Sequence, residues 1–151
     1  MLGRGGSGKS TLSQRLGNVT GLPVVELDTL FWDESLSPLA NEAWIKRQSD
    51  VACQDTWIMD GDLGPYDVLA PRLARADTVV ILDTPLAVCL WRAMRRGRQR
   101  IDFWAWVLRW GWDHRPQILV AVDTHAADAE LVILSSASDV DRFLARFGDD
   151  R

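Results

Sequence analysis

The chain has 151 residues, of which 47% are hydrophobic and 25% charged, and its net charge is -4. This length is typical of one domain, residues 1–151, and the negative charge argues against a general nucleic-acid-binding protein, whose domain is usually basic. No apolar run approaches the roughly 18 residues that cross a membrane, so no membrane partner is expected. Cys53 and Cys89 lie in apolar helical patterns without metal-ligand spacing, which indicates reduced thiols in a cytoplasmic protein.

A glycine-rich segment, Gly3–Thr11, fits the pattern Gly-x-x-x-x-Gly-Lys-Ser/Thr of a phosphate-binding loop. In such a loop the main-chain amides surround phosphate oxygens, and the helix that follows adds its positive dipole end. The lysine reaches the β- and γ-phosphates, and the next hydroxyl ligates Mg²⁺. Those two roles fall on Lys9 and Ser10. The predicted ATP-binding residues of the loop are Gly5, Gly6, Ser7, Gly8, Lys9, Ser10 and Thr11.

The residues after this loop argue against the alternative, a glycine-rich turn that caps a helix and precedes a lysine by coincidence. Leu12 and Leu16 share one face of a predicted helix, Ser10–Leu16, and Gly17 stands where such a helix would stop. What precedes the loop is short, since only two residues stand before its first glycine. A buried strand of about five residues normally precedes a phosphate loop, so we expect a truncated first strand or a chain whose true start lies upstream.

Short apolar runs alternate with helical patterns along the rest of the chain. The later predicted strands are Leu22–Leu27, Thr56–Met59, Thr78–Leu82 and Leu131–Leu134. The predicted helices run from Asn41, as N-cap, to about Gln54, from Leu86 to Arg96, and along a last apolar face with Val140, Phe143, Leu144 and Phe147. No two-residue hairpin turns separate the strands, which favours parallel pairing. We therefore predict a three-layer α/β fold around a mainly parallel five-stranded sheet, with the phosphate loop at its carboxyl edge.

Two aspartates directly follow predicted strands. Asp28 comes after the second strand and Asp60 after the third, so both belong at the sheet edge that carries the loop. Phosphoryl transfer uses carboxylates to hold Mg²⁺ and to position the acceptor hydroxyl. We predict Asp60, with Ser10, as a metal ligand and Asp28 as the base or anchor for the acceptor. The alternative for each is a cap of a helix or turn, the role that better fits Asp83 before Pro85.

An arginine-rich stretch follows the fourth strand. Arg92 and Arg96 stand four residues apart on one predicted helix and can face the same ligand. Arg98 and Arg100 follow Gly97 in a segment expected to move. Because guanidinium groups suit phosphate oxygens, we predict an arginine lid in which Arg92 and Arg96 are catalytic and Arg92 also binds the nucleotide. The alternatives are a solvated basic face and a weak nucleic-acid patch.

Aromatic residues dominate the segment that comes next, and lid and aromatic segment together span about residues 97–115. Four of the eight tryptophans are interleaved here with basic residues, and the group is Phe103, Trp104, Trp106, Trp110 and Trp112. We predict a helix packed over the substrate side of the core, since aromatic side chains supply large buried area, with some rings lining the acceptor pocket. The alternatives are stacking on a nucleobase or single-stranded nucleic acid, and contact with a membrane surface or a partner.

Together these residues resemble the adenylate-kinase-like P-loop kinases, and most closely the branch named DNA topology modulation proteins. The matching segments are Gly3–Thr11, Leu22–Trp32, Trp57–Gly61, Ala76–Asp83, Arg92–Arg96 and the aromatic-basic helix near Arg115. The resemblance implies an ATP-dependent phosphotransferase with a five-stranded parallel sheet. It also implies that Asp60 organises Mg²⁺, that Arg92 and Arg96 hold phosphates and the adenine face, and that Asp28 anchors the acceptor, as in shikimate and gluconate kinases.

Departures from the family pattern argue against AMP as the acceptor. Asp60-Gly61 is not followed by the Phe/Tyr-Pro-Arg of nucleoside monophosphate kinases, and the region between Asp28 and Asp60 is shorter than their monophosphate-binding module. Asp62 stands where the branch commonly has Asn.

The sequence thus predicts a cytoplasmic kinase that moves the γ-phosphate of ATP, with Mg²⁺, to a small-molecule acceptor. The pattern does not name that acceptor and is compatible with an oligomer. A second hypothesis is a nucleotide-binding regulatory protein with little turnover that contacts nucleic acid or a protein partner through Trp104–Trp112 and the arginines. A third is a degenerate P-loop fold that binds no nucleotide, as the short first strand suggests.

Overall fold

The structure, a computed structural model, describes residues 1–32, 37–97 and 101–148. The strands in these ranges are β1 (Leu2–Gly3), β2 (Val24–Glu26), β3 (Ile58–Asp60), β4 (Thr78–Leu82) and β5 (Glu130–Leu134). The helices are α1 (Lys9–Thr20), α2 (Leu27–Phe31), α3 (Asn41–Ala52), α4 (Ala70–Leu73), α5 (Leu86–Arg95), α6 (Ile101–Arg109), α7 (His114–His125) and α8 (Ala137–Gly148). One 3₁₀ turn, Gly64–Tyr66, follows β3.

The strands pair in parallel in two groups. In one group β4 lies between β1 and β5, and in the other β2 pairs with β3. Met1 joins the groups, because its backbone nitrogen donates to the Met59 carbonyl at 2.7 Å and its carbonyl accepts from the Gly61 amide at 3.3 Å. The order across the sheet is therefore β2-β3-β1-β4-β5, and the predicted five-stranded parallel sheet is confirmed.

The first strand is as short as the sequence predicts. β1 pairs only Leu2 with Ile81 and Gly3 with Leu82. Beyond Met1, toward the amino ends of the strands, a cavity of about 640 Å³ lies between β3 and β4. Among the described strands, β5 alone pairs with the amino-terminal half of β4.

Alternation along β4 separates two apolar cores. Val79 and Ile81 point to a core under α4 and α7, whose other members are Leu2, Leu73, Trp110, Ile118, Val122 and Ala126. Val80 and Leu82 point to the opposite core, under α1 and α8, with Leu12, Leu16, Ile58, Leu134, Phe143 and Leu144. A third cluster lies under α2 and α3 and consists of Leu27, Phe31, Trp44, Ala52 and Met59. Helices therefore cover both faces of the sheet, as the predicted three-layer fold requires.

The first helix does not stop at Gly17, so that prediction is wrong. α1 continues to Thr20 and ends at Gly21, which has a φ of 76° and donates its amide hydrogen to the Gly17 carbonyl at 2.8 Å. A Cβ atom added at Gly17 would lie 2.6 Å from Val24 Cγ2. The missing side chain at Gly17 therefore lets α1 approach β2 closely instead of ending the helix.

Other helix ends differ less from the predictions. Asn41 is the first helical residue of α3 and Ala40 takes the N-cap position, so the prediction of Asn41 as N-cap is wrong. Helix α5 ends one residue before Arg96. The predicted mobile arginines, Arg98 and Arg100, lie outside the described residues.

Candidate functional site

The glycine-rich segment forms a tight loop between β1 and α1. Gly6 and Gly8 have φ angles of 81° and 102°, in a region that residues with side chains rarely adopt, and Gly8 is the N-cap of α1. Left-handed residues of this kind turn neighbouring amides into an anion-binding concavity. Because the loop leads directly into the amino end of a 12-residue helix, the helix dipole adds positive potential there.

Lys9 lies across this loop. Its Nζ donates to the carbonyls of Gly3 at 2.8 Å and Arg4 at 3.1 Å. Burial lowers the pKa of Lys9 from its ordinary value of 10.5, while the nearby carboxylates of Asp62, Asp60 and, more weakly, Asp28 act in the opposite direction. An ammonium held by two main-chain carbonyls can exchange those contacts for phosphate oxygens without moving out of the loop.

Helix α5 is locked to the other side of the loop. A Cβ atom added at Gly6 would lie 2.5 Å from the Cys89 carbonyl oxygen, so the backbones of loop and helix touch. The Ser7 carbonyl accepts hydrogen bonds from Thr84 Oγ1 and Arg92 Nη1, both at 3.0 Å. The structure therefore brings Arg92 to the loop, where the sequence places it.

A cavity of about 530 Å³ opens beside the loop, between α1, α5 and the start of α8. Arg92 and Arg96, the two predicted lid arginines in the described region, line this cavity. Trp91 also lines it, and its ring centroid lies 4.7 Å from the Arg95 guanidinium carbon. The loop contributes Ser7, Gly8 and Thr11 to its wall. Arginine and tryptophan side chains next to a phosphate loop can hold the remaining phosphates and the base of a nucleotide.

The residues predicted for Mg²⁺ fit that ion. Asp60 ends β3 and is 4% exposed, and its Oδ1 has no hydrogen-bond partner among the described residues. A buried carboxylate oxygen without a partner is costly unless something binds it. Ser10, in the first turn of α1, is exposed. In the described ranges no group of three His, Cys, Asp or Glu residues could hold a metal by itself. Mg²⁺ does not require such a group, because it keeps water and phosphate ligands and needs few from the protein.

Asp28 is the second residue of α2, immediately past the end of β2. Register pairs Glu26 of β2 with Asp60 of β3, so Asp28 and Asp60 lie at the same edge of the sheet as the loop. Partial burial raises the pKa of Asp28 above its ordinary 3.8; Lys9 opposes this shift, and Asp60 is the strongest of the carboxylates that reinforce it. The side chain nevertheless keeps an exposed surface, so it remains accessible to a ligand.

Sequence reasoning missed the structural role of Asp62. Its Oδ2 accepts from the Gly3 amide at 3.3 Å and from Trp110 Nε1 at 2.9 Å, and its Oδ1 accepts from the Gly64 amide at 3.0 Å. Asp62 thereby ties the start of the loop to the segment after β3 and to the end of α6. A carboxylate directly after Asp60-Gly61 could have drawn attention to this position. Its partners Trp110 and Gly3, however, lie 48 and 59 residues away along the chain.

Arg4 is a second buried polar residue whose role the loop pattern did not predict. It is 8% exposed, and its guanidinium carbon lies 5.4 Å from the centroid of the Trp110 ring. Its Nε has no hydrogen-bond partner among the described residues. Arg4 therefore packs behind the loop against the aromatic segment.

Helix α6 packs over the loop and the core, as predicted. Val107 and Trp110 are fully buried. A Cβ atom added at Gly5 would lie 2.7 Å from Phe103 Cε2 and Cζ and 2.9 Å from Trp106 Cζ3. One added at Gly64 would lie 2.5 Å from Trp106 Nε1. The Phe103 and Trp106 rings thus stand directly against the phosphate loop and the segment after β3.

Asp83, predicted as a turn or cap residue, instead pairs with a distant arginine. Its Oδ2 accepts from Arg115 Nε at 2.9 Å, both side chains being about 30% exposed. No side-chain hydrogen bond caps α5 at its N-cap, Pro85. The ion pair joins the end of β4 to the start of α7.

The fold resembles those of two solved kinases. A sugar kinase from Janibacter sp. HTCC2649, solved without ligand, matches with a TM-score of 0.56 and 20% identity over 95% of this chain and 90% of its own. A gluconokinase from Sinorhizobium meliloti 1021 matches with a TM-score of 0.57 and 17% identity over 99% of this chain and 91% of its own. No protein-family model and no curated protein sequence matches the chain. The likeness to the DNA topology modulation branch is therefore not confirmed.

No helix of the described residues has the length and apolarity needed to cross a membrane.

Proposed function

We propose that this protein is a kinase that transfers the γ-phosphate of ATP to a hydroxyl of a small molecule. One observation carries the proposal: the lysine of a glycine-rich loop donates to two carbonyls of that loop, at the sheet edge where β2 and β3 end and where Asp28 and Asp60 lie. A phosphate loop, a lysine and nearby carboxylates are what phosphoryl transfer needs, because the reaction depends on positioning and charge neutralisation more than on covalent chemistry. The fold shared with a sugar kinase and a gluconokinase supports the same reaction class.

The loop and α5 hold the nucleotide in this proposal. The main-chain amides and hydroxyls that bind phosphate belong to Gly5, Gly6, Ser7, Gly8, Ser10 and Thr11. Lys9 exchanges its two carbonyl contacts for the β- and γ-phosphates. Arg92, already bonded to the Ser7 carbonyl, and Arg96 close over the phosphates from the cavity beside the loop and stabilise charge on the transferring group.

The carboxylates act on the metal and acceptor side. Asp60 and Ser10 hold Mg²⁺, which when bound neutralises part of the phosphate charge. Asp28 accepts a hydrogen bond from the acceptor hydroxyl, orients it and takes its proton as the new bond forms. The raised pKa of Asp28 suits a base that must hold that proton briefly.

The finer assignments belong to the same proposal. They are a place near the adenylate-kinase-like branch, an acceptor other than AMP, and action in the cytoplasm. The Asp28 and Asp60 spacing and the residues after Asp60-Gly61 support the first two assignments, and the two free cysteines, Cys53 and Cys89, support the third.

The two lysines of this chain provide the test. Lys9→Ala is expected to lower kcat for phosphate transfer by about 10²–10³-fold, since it removes a charged donor aimed at the transferring group. The measurement is a screen of transfer from ATP to pooled sugars, polyols and nucleosides, with calorimetric titration of ATP and Mg²⁺. Lys46→Ala is the matched control, because Lys46 is exposed on α3 and forms a surface ion pair with Asp50 at 2.9 Å. The proposal is contradicted if both variants have equal activity, or if Lys9→Ala binds ATP with the same affinity as the unmodified protein.

A further inference from the structure

Strand β5 lies at one edge of the sheet, and its main chain alternates between two directions. Among the described strands it pairs with β4 alone. The Glu130 amide donates to the Asp77 carbonyl, and the Leu134 carbonyl accepts from the segment after β4, both at 2.9 Å. In such pairing every second residue directs its amide and its carbonyl to the neighbouring strand. The amides and carbonyls of the residues between, Leu131 and Ile133, therefore point away from β4.

The side chains of these two residues are also incompletely covered. Leu131 and Ile133 are each 41% exposed. Register places them opposite Val79 and Ile81, whose side chains point to the α7 face of the sheet. Helix α7 therefore covers β4 but only partly covers β5. Val120 of α7 is 66% exposed and lines a surface cavity of about 430 Å³, whose other walls are Pro116, Gln117, Ala121, Thr124 and His125.

The sequence of β5 does not protect this edge against pairing with another strand. Exposed edges are usually protected by a lysine, a proline or a charge that points inward. The run Leu131–Leu134 has no charged residue and no proline. Glu130, the only charge of β5, is bonded through both carboxylate oxygens to Arg146 of its own chain, at 2.9 and 3.0 Å. Within the described ranges, no hydrogen bond reaches the outward amides and carbonyls of Leu131 and Ile133.

A second copy of β5 satisfies all of these groups when it pairs antiparallel about a two-fold axis at Val132. Leu131 of one chain then lies opposite Ile133 of the second copy, and each such pair exchanges two main-chain hydrogen bonds. The two symmetric pairs leave no outward amide or carbonyl unpaired. Their side chains lie on one face, where apolar cross-strand neighbours stabilise a sheet. A parallel copy cannot do this with two-fold symmetry, because its bonding residues would have to shift by one position.

The charges at the two ends of β5 favour the same arrangement. Asp123 and Asp128 lie at its amino end, are exposed, and have no hydrogen bond or ion pair among the described residues. Arg115 and Arg142 lie at its carboxyl end, each paired with an aspartate of its own chain. Antiparallel pairing places the amino end of one strand beside the carboxyl end of the other. The unpaired carboxylates of one copy therefore lie toward the guanidinium groups of the second copy.

We propose that β5 is a dimerisation edge, which pairs antiparallel with β5 of a second copy and joins the two sheets into one. Leu131 and Ile133 of both copies cover one another on the α7 face, and Val120 extends this apolar surface. The proposal does not depend on the kinase function, because β4 separates β5 from β1 and the loop. One strand and one helix face form a small interface, so the dissociation constant is expected at roughly 1–100 µM.

The test follows the mass and the amide exchange of the full chain over a concentration series. Light scattering is expected to show a reversible change from monomer to dimer as the concentration passes through roughly 1–100 µM. Amide hydrogen exchange at Leu131 and Ile133 is expected to slow several-fold over that series, and exchange at Val132, whose amide already faces β4, to change less. A chain that stays monomeric, or a dimer with unchanged exchange at both residues, overturns the proposal.

Two substitutions disrupt the pairing in different ways. Leu131→Pro removes an outward amide hydrogen and keeps the bonds to β4, a position where edge strands tolerate proline. Ile133→Lys places a charge on the apolar face, as protected edges do. Each is expected to raise the dissociation constant about tenfold or more, since the proline variant alone loses two hydrogen bonds per dimer. Ile45→Lys is the matched control, because Ile45 is 39% exposed on α3.

The variants are compared by light scattering, with circular dichroism to check their folding. A dimer that survives both substitutions, or that is lost equally in Ile45→Lys, overturns the proposal. The exchange series uses the unmodified chain, so it decides the question even if a substitution unfolds the protein.

Discussion

The glycine-rich loop separates two regions that differ in charge. Toward α5, the cavity beside the loop is lined by arginines, including Arg92 and Arg96. Toward α2 and β3, the carboxylates of Asp62, Asp60 and Asp28 oppose the lowering of the Lys9 pKa by burial. The loop motif alone does not indicate which substrate binds on which flank. Under the proposed kinase function, this difference favours the α5 side for the polyanionic nucleotide and the α2 side for the acceptor.

The largest effect is expected from a buried ion pair next to the segment that follows β3. Asp67 and Arg72 form a buried ion pair at 2.6 Å, with side chains 4% and 6% exposed. Asp67→Ala leaves the Arg72 guanidinium buried without its anion and is expected to lower the free energy of unfolding by about 3–5 kcal/mol. Denaturant unfolding of both proteins gives this difference. Arg72 also donates to the Gly61 carbonyl. The segment after β3 should therefore unfold at lower denaturant concentration than the loop and α5.

A surface ion pair serves as the control for that experiment. Asp141 pairs with Arg15 at 3.0 Å, and both side chains are more than half exposed. Asp141→Ala should change the free energy of unfolding by less than about 1 kcal/mol. If the free energy of unfolding falls by a similar amount in both variants, the buried ion pair stabilises the fold no more than the surface ion pair does.

A smaller effect, confined to the nucleotide side, is expected from Arg92→Ala. The change removes a guanidinium that bonds to the Ser7 carbonyl and lines the cavity beside the loop. Loss of one charge-assisted hydrogen bond is worth about 1.5–3 kcal/mol, so ATP affinity should fall by roughly tenfold or more. Calorimetric titration with ATP and Mg²⁺ measures this affinity. Arg75→Ala is the control, since Arg75 is exposed and lines the cavity at the opposite end of the sheet.

The smallest effect concerns pH and Asp28. The raised folded-state pKa means that ionised Asp28 is less favourable in the folded chain than in the unfolded one. Its cost is absent below the unfolded pKa and appears as pH rises through the folded pKa. At neutral pH, Asp28→Asn should therefore raise the melting temperature slightly while lowering transfer activity, a combination typical of functional residues.

The pH profile of transfer provides a second measurement on the same residue. In the unmodified protein, kcat/KM for the acceptor should rise with pH through an apparent pKa above 3.8, as Asp28 loses its proton. That limb should be missing in Asp28→Asn. A limb that persists unchanged assigns the ionisation to another group.

The sequence was sufficient for those features that depend on neighbouring residues. Strand β4 has the predicted bounds, Thr78–Leu82, because a run of β-branched and apolar residues buried on both faces has few other places in a fold. The loop was recognisable because its glycines and Lys9 act within a few residues of one another. The end of α1 was not, because the choice between Gly17 and Gly21 depends on how closely β2 approaches.

Contacts between distant segments account for what the sequence did not reveal. The bonds of Asp62 to the loop and to Trp110 join segments 48 to 59 residues apart, and no local pattern specifies them. The same holds for the packing of Phe103 on Gly5. The candidate site residues could therefore be named from the sequence, whereas the contacts that hold their segments together required the structure.

The contact between Met1 and β3 has a consequence for the proposed ligand. Met1 bonds to Met59 and Gly61 and so connects β1 to β3 directly beneath the loop. The loop continues from β1, whereas Asp60 ends β3. A nucleotide and metal held by both the loop and Asp60, as proposed, would add a second connection between these two strands. Amide hydrogen exchange near Gly61 should therefore slow when nucleotide binds, and the free energy of unfolding should increase.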